Sequence, residues 1–148
     1  MNPKRKGNQF ERELAKILSK WYFKDETAKD LIFWRDLGSG TTYLHNKSSK
    51  LCGDLICFLE DPRIDSLYIE AKYYSNFTLN DLNTLGKIIS KLPEDKNSFF
   101  FIKCKKGIFI GTKRHLSKND FFIYIKKYYV YFLKEVRAKY SFEEIFLN

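Results

Sequence analysis

The sequence has seven glycines, three prolines and three cysteines in 148 residues. So little Gly and Pro excludes a long flexible linker and points to compact packing. The cysteines, Cys52, Cys57 and Cys104, are odd in number and contain no CxxC pair, which excludes a disulfide framework and fits reduced thiols. A zinc site built from His45, Cys52 and Cys57 would match no standard spacing, and small buried thiols are the simpler reading. No run approaches the roughly 20 apolar residues of a membrane span. The opening MNPKRKGNQFERE is basic but lacks the apolar segment of a secretory signal, so a cytoplasmic protein is expected. No helix joins a basic face to an apolar insertion face, which argues against a membrane surface as partner.

What is present is aromatic and basic. Fourteen Phe and ten Tyr, within 44% hydrophobic residues, suffice for one core, and the length predicts a single domain over residues 1–148. Twenty-seven basic against 18 acidic residues leave a net charge of +9. Such an excess favours a polyanion, nucleic acid first. The abundance of Lys, Asn, Ile, Phe and Tyr is the usage expected of an AT-rich genome, phage genomes among them.

Periodicity predicts the elements. Phe10, Leu14, Ile17, Leu18 and Trp21 recur at helical spacing over Asn8–Tyr22, behind a basic arm, PKRKG. Leu31–Arg35 reads as a strand, followed by a long polar loop, Asp36–Gly53. Asp54–Leu59 and Ser66–Lys72 read as an antiparallel hairpin. Leu79–Leu92 reads as a helix ended by Pro93. Ser98–Cys104 and Gly107–Thr112 read as strands joined by Lys105–Lys106. Lys118–Tyr140 reads as a final helix burying Phe121, Ile125, Tyr128, Tyr129, Phe132, Leu133 and Val136. The order predicts an α/β domain, a mixed sheet flanked by helices.

Within this frame four residues call for chemistry. Glu70 and Lys72 lie two apart in the strand LYIEAKYY, so they share a face with Tyr68 and leave Leu67, Ile69 and Ala71 to the core. Asp54 opens the neighbouring strand, where hairpin pairing would bring its carboxylate beside Glu70. Two adjacent carboxylates repel unless a cation lies between them, and hard oxygen ligands suit Mg²⁺ or Mn²⁺. Glu11 borders the apolar strip of Leu14, Ala15 and Leu18. Glu13, about 200° around the wheel from Glu11, is expected in solvent with Lys16 and Lys20. Singly, each has an ordinary alternative: a cross-strand charge ladder for Glu70 and Lys72, a turn for Asp54, a first-turn helix acid for Glu11. Their joint occurrence carries the functional reading.

Gly53–Asp54 followed by Glu70-Ala71-Lys72 resembles the PD-(D/E)xK nuclease motif, with Gly53 in the usual place of Pro. RKGNQFERE (Arg5–Glu13) and FWRDLGSG (Phe33–Gly40) resemble the archaeal-type Holliday junction resolvases, a branch also met in phage and viral enzymes. The likeness spans Lys4–Lys72. It implies a restriction-endonuclease-like fold with a mixed five-stranded sheet flanked by helices, and a metal-dependent phosphodiesterase. By position, Asp54 and Glu70 would bind Mg²⁺ or Mn²⁺ with the backbone carbonyl of Ala71. Glu11 would complete the metal shell, directly or through water. Lys72 would orient or activate the attacking water and stabilise developing charge. Arg12, Arg35 and Ser39 would help hold DNA, although the loop Gly38–Gly53 is longer here than in the compact archaeal enzymes.

The basic cluster Lys4, Arg5, Lys6 and Arg12, with Lys47 and Lys50 in the loop, is expected to touch phosphates with little sequence preference. Resolvases cut two strands symmetrically, so the resemblance implies a homodimer acting on branched or duplex DNA. Tyr73, Tyr74 and Phe77 could line an interface, pack on DNA sugars or enter the core. Tyr124, Tyr131 and Tyr140, off the core face of the last helix, are compatible with an interface. Two rival readings stand beside the resolvase: another nuclease of the superfamily, and a basic DNA-binding module without activity.

Overall fold

The computed structural model describes residues 3–23, 25, 27, 29, 31–35, 50–58, 66–116 and 122–133. Helix α1 spans Pro3–Phe23, so the basic arm is its first turns, with Pro at the first helical position. Phe10, Leu14, Ala15, Leu18 and Trp21 are buried, as the spacing predicts. Ser19 lies among them and ties α1 to the next element. Its hydroxyl donates to the Ala15 carbonyl at 2.8 Å and accepts the N–H groups of Ile32 and Phe33 at 3.2 and 3.3 Å.

Three short strands follow: β1 (Phe33–Arg35), β2 (Lys50–Cys52) and β3 (Leu55–Cys57). They form an antiparallel sheet in the order β1-β3-β2. The main sheet holds β4 (Leu67–Tyr73), β5 (Asn97–Cys104), β6 (Gly107–Thr112), β7 (Phe122–Ile125) and β8 (Tyr128–Leu133), in the order β4-β5-β6-β8-β7. β4 and β5 are parallel, and the other pairs are antiparallel. Helix α2 (Leu82–Ser90) makes the β4-to-β5 crossover that a parallel pair requires. Asp81 caps α2 by accepting the Thr84 N–H at 3.1 Å.

The main sheet is mixed and five-stranded, as expected, but its membership differs. Leu31–Arg35 and Asp54–Leu59 contribute strands to the smaller sheet instead. The expected antiparallel hairpin between Asp54–Leu59 and Ser66–Lys72 does not form. β3 is enclosed between β1 and β2, and the segment before it touches β4 at one parallel bridge, Gly53 to Ile69. The expected helix over Lys118–Tyr140 is, across its described residues, the β7–β8 hairpin. β-Branched and aromatic residues crowd this stretch and favour strands. The turn is Lys126–Lys127, both in the left-handed region at φ 47° and 70°; this is the backbone of a two-residue hairpin loop, without the usual Asn or Gly to signal it.

The sheet separates two apolar layers. Phe99 and Phe101 of β5 pack with Ile69 and Ala71 toward α1, while Phe100 and Ile102 pack with Leu85, Ile88 and Ile89 of α2. β5 is thus buried on both faces and reads as a continuous apolar run. β4 is an edge strand of this sheet, and its outer side faces Gly53 and Asp54.

Candidate active site

The position of Asp54 is set by Gly53. Gly53 has φ 71°, and a Cβ there would lie 2.2 Å from the carbonyl oxygen of Ile69. Only glycine permits both the left-handed turn and this approach. The Asp54 N–H then donates to the Ile69 carbonyl at 2.8 Å, and Asp54 Oδ2 accepts the Ala71 N–H at 2.7 Å. The carboxylate therefore takes the place of a neighbouring strand at the outer side of β4.

The same geometry orients the Ala71 carbonyl. The Asn97 N–H donates to the Ser66 carbonyl, and the Tyr74 N–H to that of Lys103. Even-numbered residues of β4 thus turn their backbone groups toward β5. In a strand the N–H and C=O of one residue point to the same side. Those of Ala71 therefore point outward, toward Asp54.

Glu70 and Lys72 lie on one face of β4 and touch. Lys72 Nζ is 3.3 Å from Glu70 Oε1, and the Tyr68 hydroxyl donates to Glu70 Oε2 at 3.3 Å. Glu70 is thus gripped from both sides by residues two positions away. Sequence reasoning placed Tyr68 on this face but gave it no role; its place two residues before Glu70 is the signal that could have done so.

Glu11 projects from α1 to Arg35 on β1, with Glu11 Oε2 3.2 Å from Arg35 Nε. The Ser19 bonds hold the start of β1 against α1 and so set this pair. Arg35, expected at DNA, is thus paired with a site acid. Glu13 is half-buried and forms an ion pair with Lys103 Nζ, which corrects the expectation of a solvated residue. The pair lies beside Phe10, whose ring the Lys103 ammonium overlies. That apolar surface draws both side chains in from water.

Electrostatics joins these segments. Burial is the main cause that pushes the Asp54 carboxyl up to about 6. The bond from Ala71 opposes the rise, the charges of Glu70 and Glu11 add to it, and Lys72 again opposes it. Burial pushes the Lys72 ammonium down, but the charge and hydrogen bond of Glu70, with smaller contributions from Tyr74 and Asp54, outweigh it and leave the pKa raised. Lys72 is consequently a fixed cation at neutral pH.

Among the described residues, no three His, Cys, Asp or Glu side chains converge as a ready-made metal cage. The donor set nevertheless fits a hard divalent ion. Mg²⁺ is usually held by one or two carboxylates and keeps several waters. Asp54, Glu70 and the outward Ala71 carbonyl supply oxygen donors of that kind, and burial beside two other acids leaves the Asp54 anion in need of positive charge. Of the zinc set, Cys57 is buried and in no disulfide, while His45 and the Cys52 side chain lie outside the described residues.

Of the expected DNA contacts, Lys4, Arg5 and Arg12 are exposed on α1. Lys6 lies 5.4 Å over the Tyr73 ring, beside a pocket of about 250 Å³ lined also by Gln9, Phe10, Glu13 and Lys103. Ser39, Lys47 and the Lys50 side chain lie outside the described residues. Phe77 is core, whereas Tyr74 is exposed. Tyr131 is buried in β8, so it is no surface residue of a helix; Tyr124 is exposed on β7, and Tyr140 lies outside the described residues.

A mixed α/β sheet that presents Glu-x-Lys on one strand, with an aspartate delivered to that strand's side, is the arrangement of a restriction-endonuclease-like PD-(D/E)xK protein. The chain belongs to one particular family of that class: the family model described as "Phage putative PDDEXK endonuclease" matches residues 2–91, more than half of the chain. The match takes in Glu11, Asp54, Glu70 and Lys72. No curated protein and no solved structure matches the chain. Nucleases of this kind act on DNA and generally use divalent metal ions. No helix among the described residues is long and apolar enough to cross a membrane.

Proposed function

We propose that the chain is a single-domain, Mg²⁺- or Mn²⁺-dependent endonuclease selective for DNA structure, with the four-way junction as preferred substrate, acting as a homodimer in the cytoplasm of a phage-infected host. The observation that supports the nuclease site is the bond from the Ala71 N–H to Asp54, which holds this aspartate beside the strand that carries Glu70 and Lys72. The junction preference rests on the likeness of Arg5–Glu13 and Phe33–Gly40 to resolvases.

In this reading Asp54, Glu70 and the Ala71 carbonyl hold the cation, which when bound supplies charge neutralisation at the scissile phosphate and an acidified water. Lys72 places an ammonium where negative charge grows as water adds to phosphorus and the P–O bond breaks. Lys72 also orients or activates the attacking water. Tyr68 fixes the rotamer of Glu70, leaving its carboxylate little freedom to turn from the ion. Glu11, steadied by Arg35, completes the negative surround. Lys4, Arg5, Lys6 and Arg12 on α1, with Lys47, Lys50 and Ser39, bind backbone phosphates.

The family match favours a second reading, a phage nuclease for another DNA structure or sequence. Cleavage of a four-way junction and of a matched linear duplex, each with Mg²⁺, separates the two. Faster cutting of the junction is expected, whereas equal cutting of both removes the junction assignment. Absence of cutting with Mg²⁺ and Mn²⁺ alike would leave a basic DNA-binding module.

A further inference from the structure

Helix α2 and the β7–β8 turn border a groove on the face of the main sheet that also carries Glu70 and Lys72. The register runs from Glu70 through Phe100 and Gly111 to Val130. Phe100, Val130 and Tyr128 belong to the apolar layer beneath α2, and Tyr68 packs against that layer. One part of the groove, of about 550 Å³, is lined by Lys113, Lys126 and Lys127 with Ser90, Glu94 and Tyr128. A second part, of about 450 Å³, shares Ser90 and Lys126 and adds Lys87 and Lys91. Five lysines thus meet one carboxylate.

Neutral groups hold these lysines. Lys113 Nζ donates to the Glu94 carbonyl at 3.2 Å and lies 5.8 Å over the Tyr128 ring. Lys126 Nζ donates to Ser90 Oγ at 3.1 Å and to the Gly86 carbonyl at 3.5 Å. Lys127 is exposed. Among the described residues none of the three forms an ion pair, with Glu94 or any other acid. Two ammonium groups are therefore positioned without being neutralised. Capping of the last α2 carbonyls accounts for Lys126, but not for Lys113 or Lys127. The turn points the same way. A two-residue hairpin loop favours Asn and Gly, yet Lys126 and Lys127 stand there at φ 47° and 70°, which L side chains adopt only at some cost. A second copy of the chain docked here would set lysine against lysine. The DNA backbone supplies the opposite charge.

We propose that this groove is a second phosphate-binding site, which holds the backbone of a duplex arm of the DNA that is cut at β4. The inference rests on the endonuclease reading and narrows its substrate to DNA whose arm is long enough to reach the groove. Three strand spacings separate β4 from β8, and Tyr128 lies two residues along from Val130, in the row of Glu70. Together these make about 16 Å, or roughly five base pairs. Lys113, Lys126 and Lys127 lie beyond residues 2–91, the part matched by the family model. The groove therefore depends on the C-terminal strands, which that match does not reach.

The test is fluorescence anisotropy of a labelled 24-base-pair duplex in EDTA, with the full chain, over a series of salt concentrations. Lys113→Ala/Lys127→Ala should weaken binding about tenfold or more and lower the salt slope by about two phosphate contacts. Lys20→Ala/Lys29→Ala removes equal charge outside the groove and should bind within about twofold of the parent. Lys127→Gly relieves the left-handed backbone, so its melting temperature should equal or exceed the parent's while its salt slope falls by about one. That pairing separates a ligand contact from a structural one. An unchanged slope in Lys113→Ala/Lys127→Ala would overturn the proposal, as would an equal loss in the Lys20 and Lys29 variant. So would conversion of a dimer to a monomer by Lys113→Ala/Lys127→Ala in sedimentation without DNA. If the parent cuts no DNA yet its duplex affinity depends on Lys113 and Lys127, the endonuclease reading fails and the groove stands.

Discussion

Replacing Asp54 by Asn should abolish DNA cleavage and make the metal-free protein more stable. The folded carboxyl titrates at about 6 rather than at the ordinary 3.8, so between those values the folded state binds more protons than the unfolded one. The stability linked to this group is fully present below about pH 4 and is lost as pH rises through about 6. The interval from 3.8 to about 6 corresponds to about 3 kcal/mol. The side chain is partly open to water, and screening reduces this to about 1–2 kcal/mol. Asn removes the charge and keeps an oxygen for the Ala71 N–H.

In EDTA at pH 8, Asp54→Asn should therefore melt about 2–8 °C above the parent. The gap should narrow through pH 6 and close near pH 4. Other carboxylates titrate in both proteins, so the difference between the two melting curves isolates Asp54. Adding Mn²⁺ should raise the parent's melting temperature, by about 2.7 kcal/mol of stability at a hundredfold excess over Kd, and leave the variant's unchanged. A variant no more stable than the parent at pH 8, or a gap that does not vary with pH, would refute a buried, charge-crowded Asp54.

Three further substitutions probe the supports. Gly53→Ala forces a Cβ against the Ile69 carbonyl and a side chain into left-handed backbone; a loss of about 2–4 kcal/mol in urea unfolding and of measurable cleavage is expected. Lys72→Met should lower the cleavage rate about 100-fold or more while DNA affinity by gel shift stays within about twofold. Ser19→Ala leaves the Ile32 and Phe33 N–H groups without their hydroxyl acceptor and should cost about 1–3 kcal/mol, read from the urea midpoint.

The chain announces its site unevenly. The face shared by Glu70 and Lys72 follows from the two-residue period of a strand, and the placement of Glu11 beside the buried stripe follows from the helical wheel. Both are local relations, and both are found in the structure. The contact between Asp54 and Ala71 spans 17 positions and depends on a left-handed Gly53, so no periodicity reports it. The C-terminal misreading has the opposite cause. Ile125, Tyr128, Tyr129 and Phe132 satisfy a helical spacing, while the run Phe122–Ile125 and Tyr128–Leu133 satisfies strand propensity. The deciding feature was a turn made of two lysines, residues with no preference for positive φ. Ser19 was hidden because a serine amid apolar helix positions looks like a gap in the stripe rather than the acceptor for two backbone donors.

The interruption of pairing at Gly53 explains why the site lies where it does. Had the chain run on alongside β4 past Gly53, a backbone carbonyl would accept the Ala71 N–H, and the Ala71 carbonyl would accept the next N–H in return. Both groups would be consumed by the ladder. Instead the glycine turn ends the pairing after one bridge, and a side-chain carboxylate satisfies the N–H. That exchange leaves the Ala71 carbonyl directed outward beside Asp54, with Glu70 and Lys72 one residue to either side. A full ladder would be more stable, because it would bury no carboxylate. The cost of the Asp54 charge is therefore the cost of having oxygen donors at a strand edge at all, and a divalent cation is the ligand that offsets it.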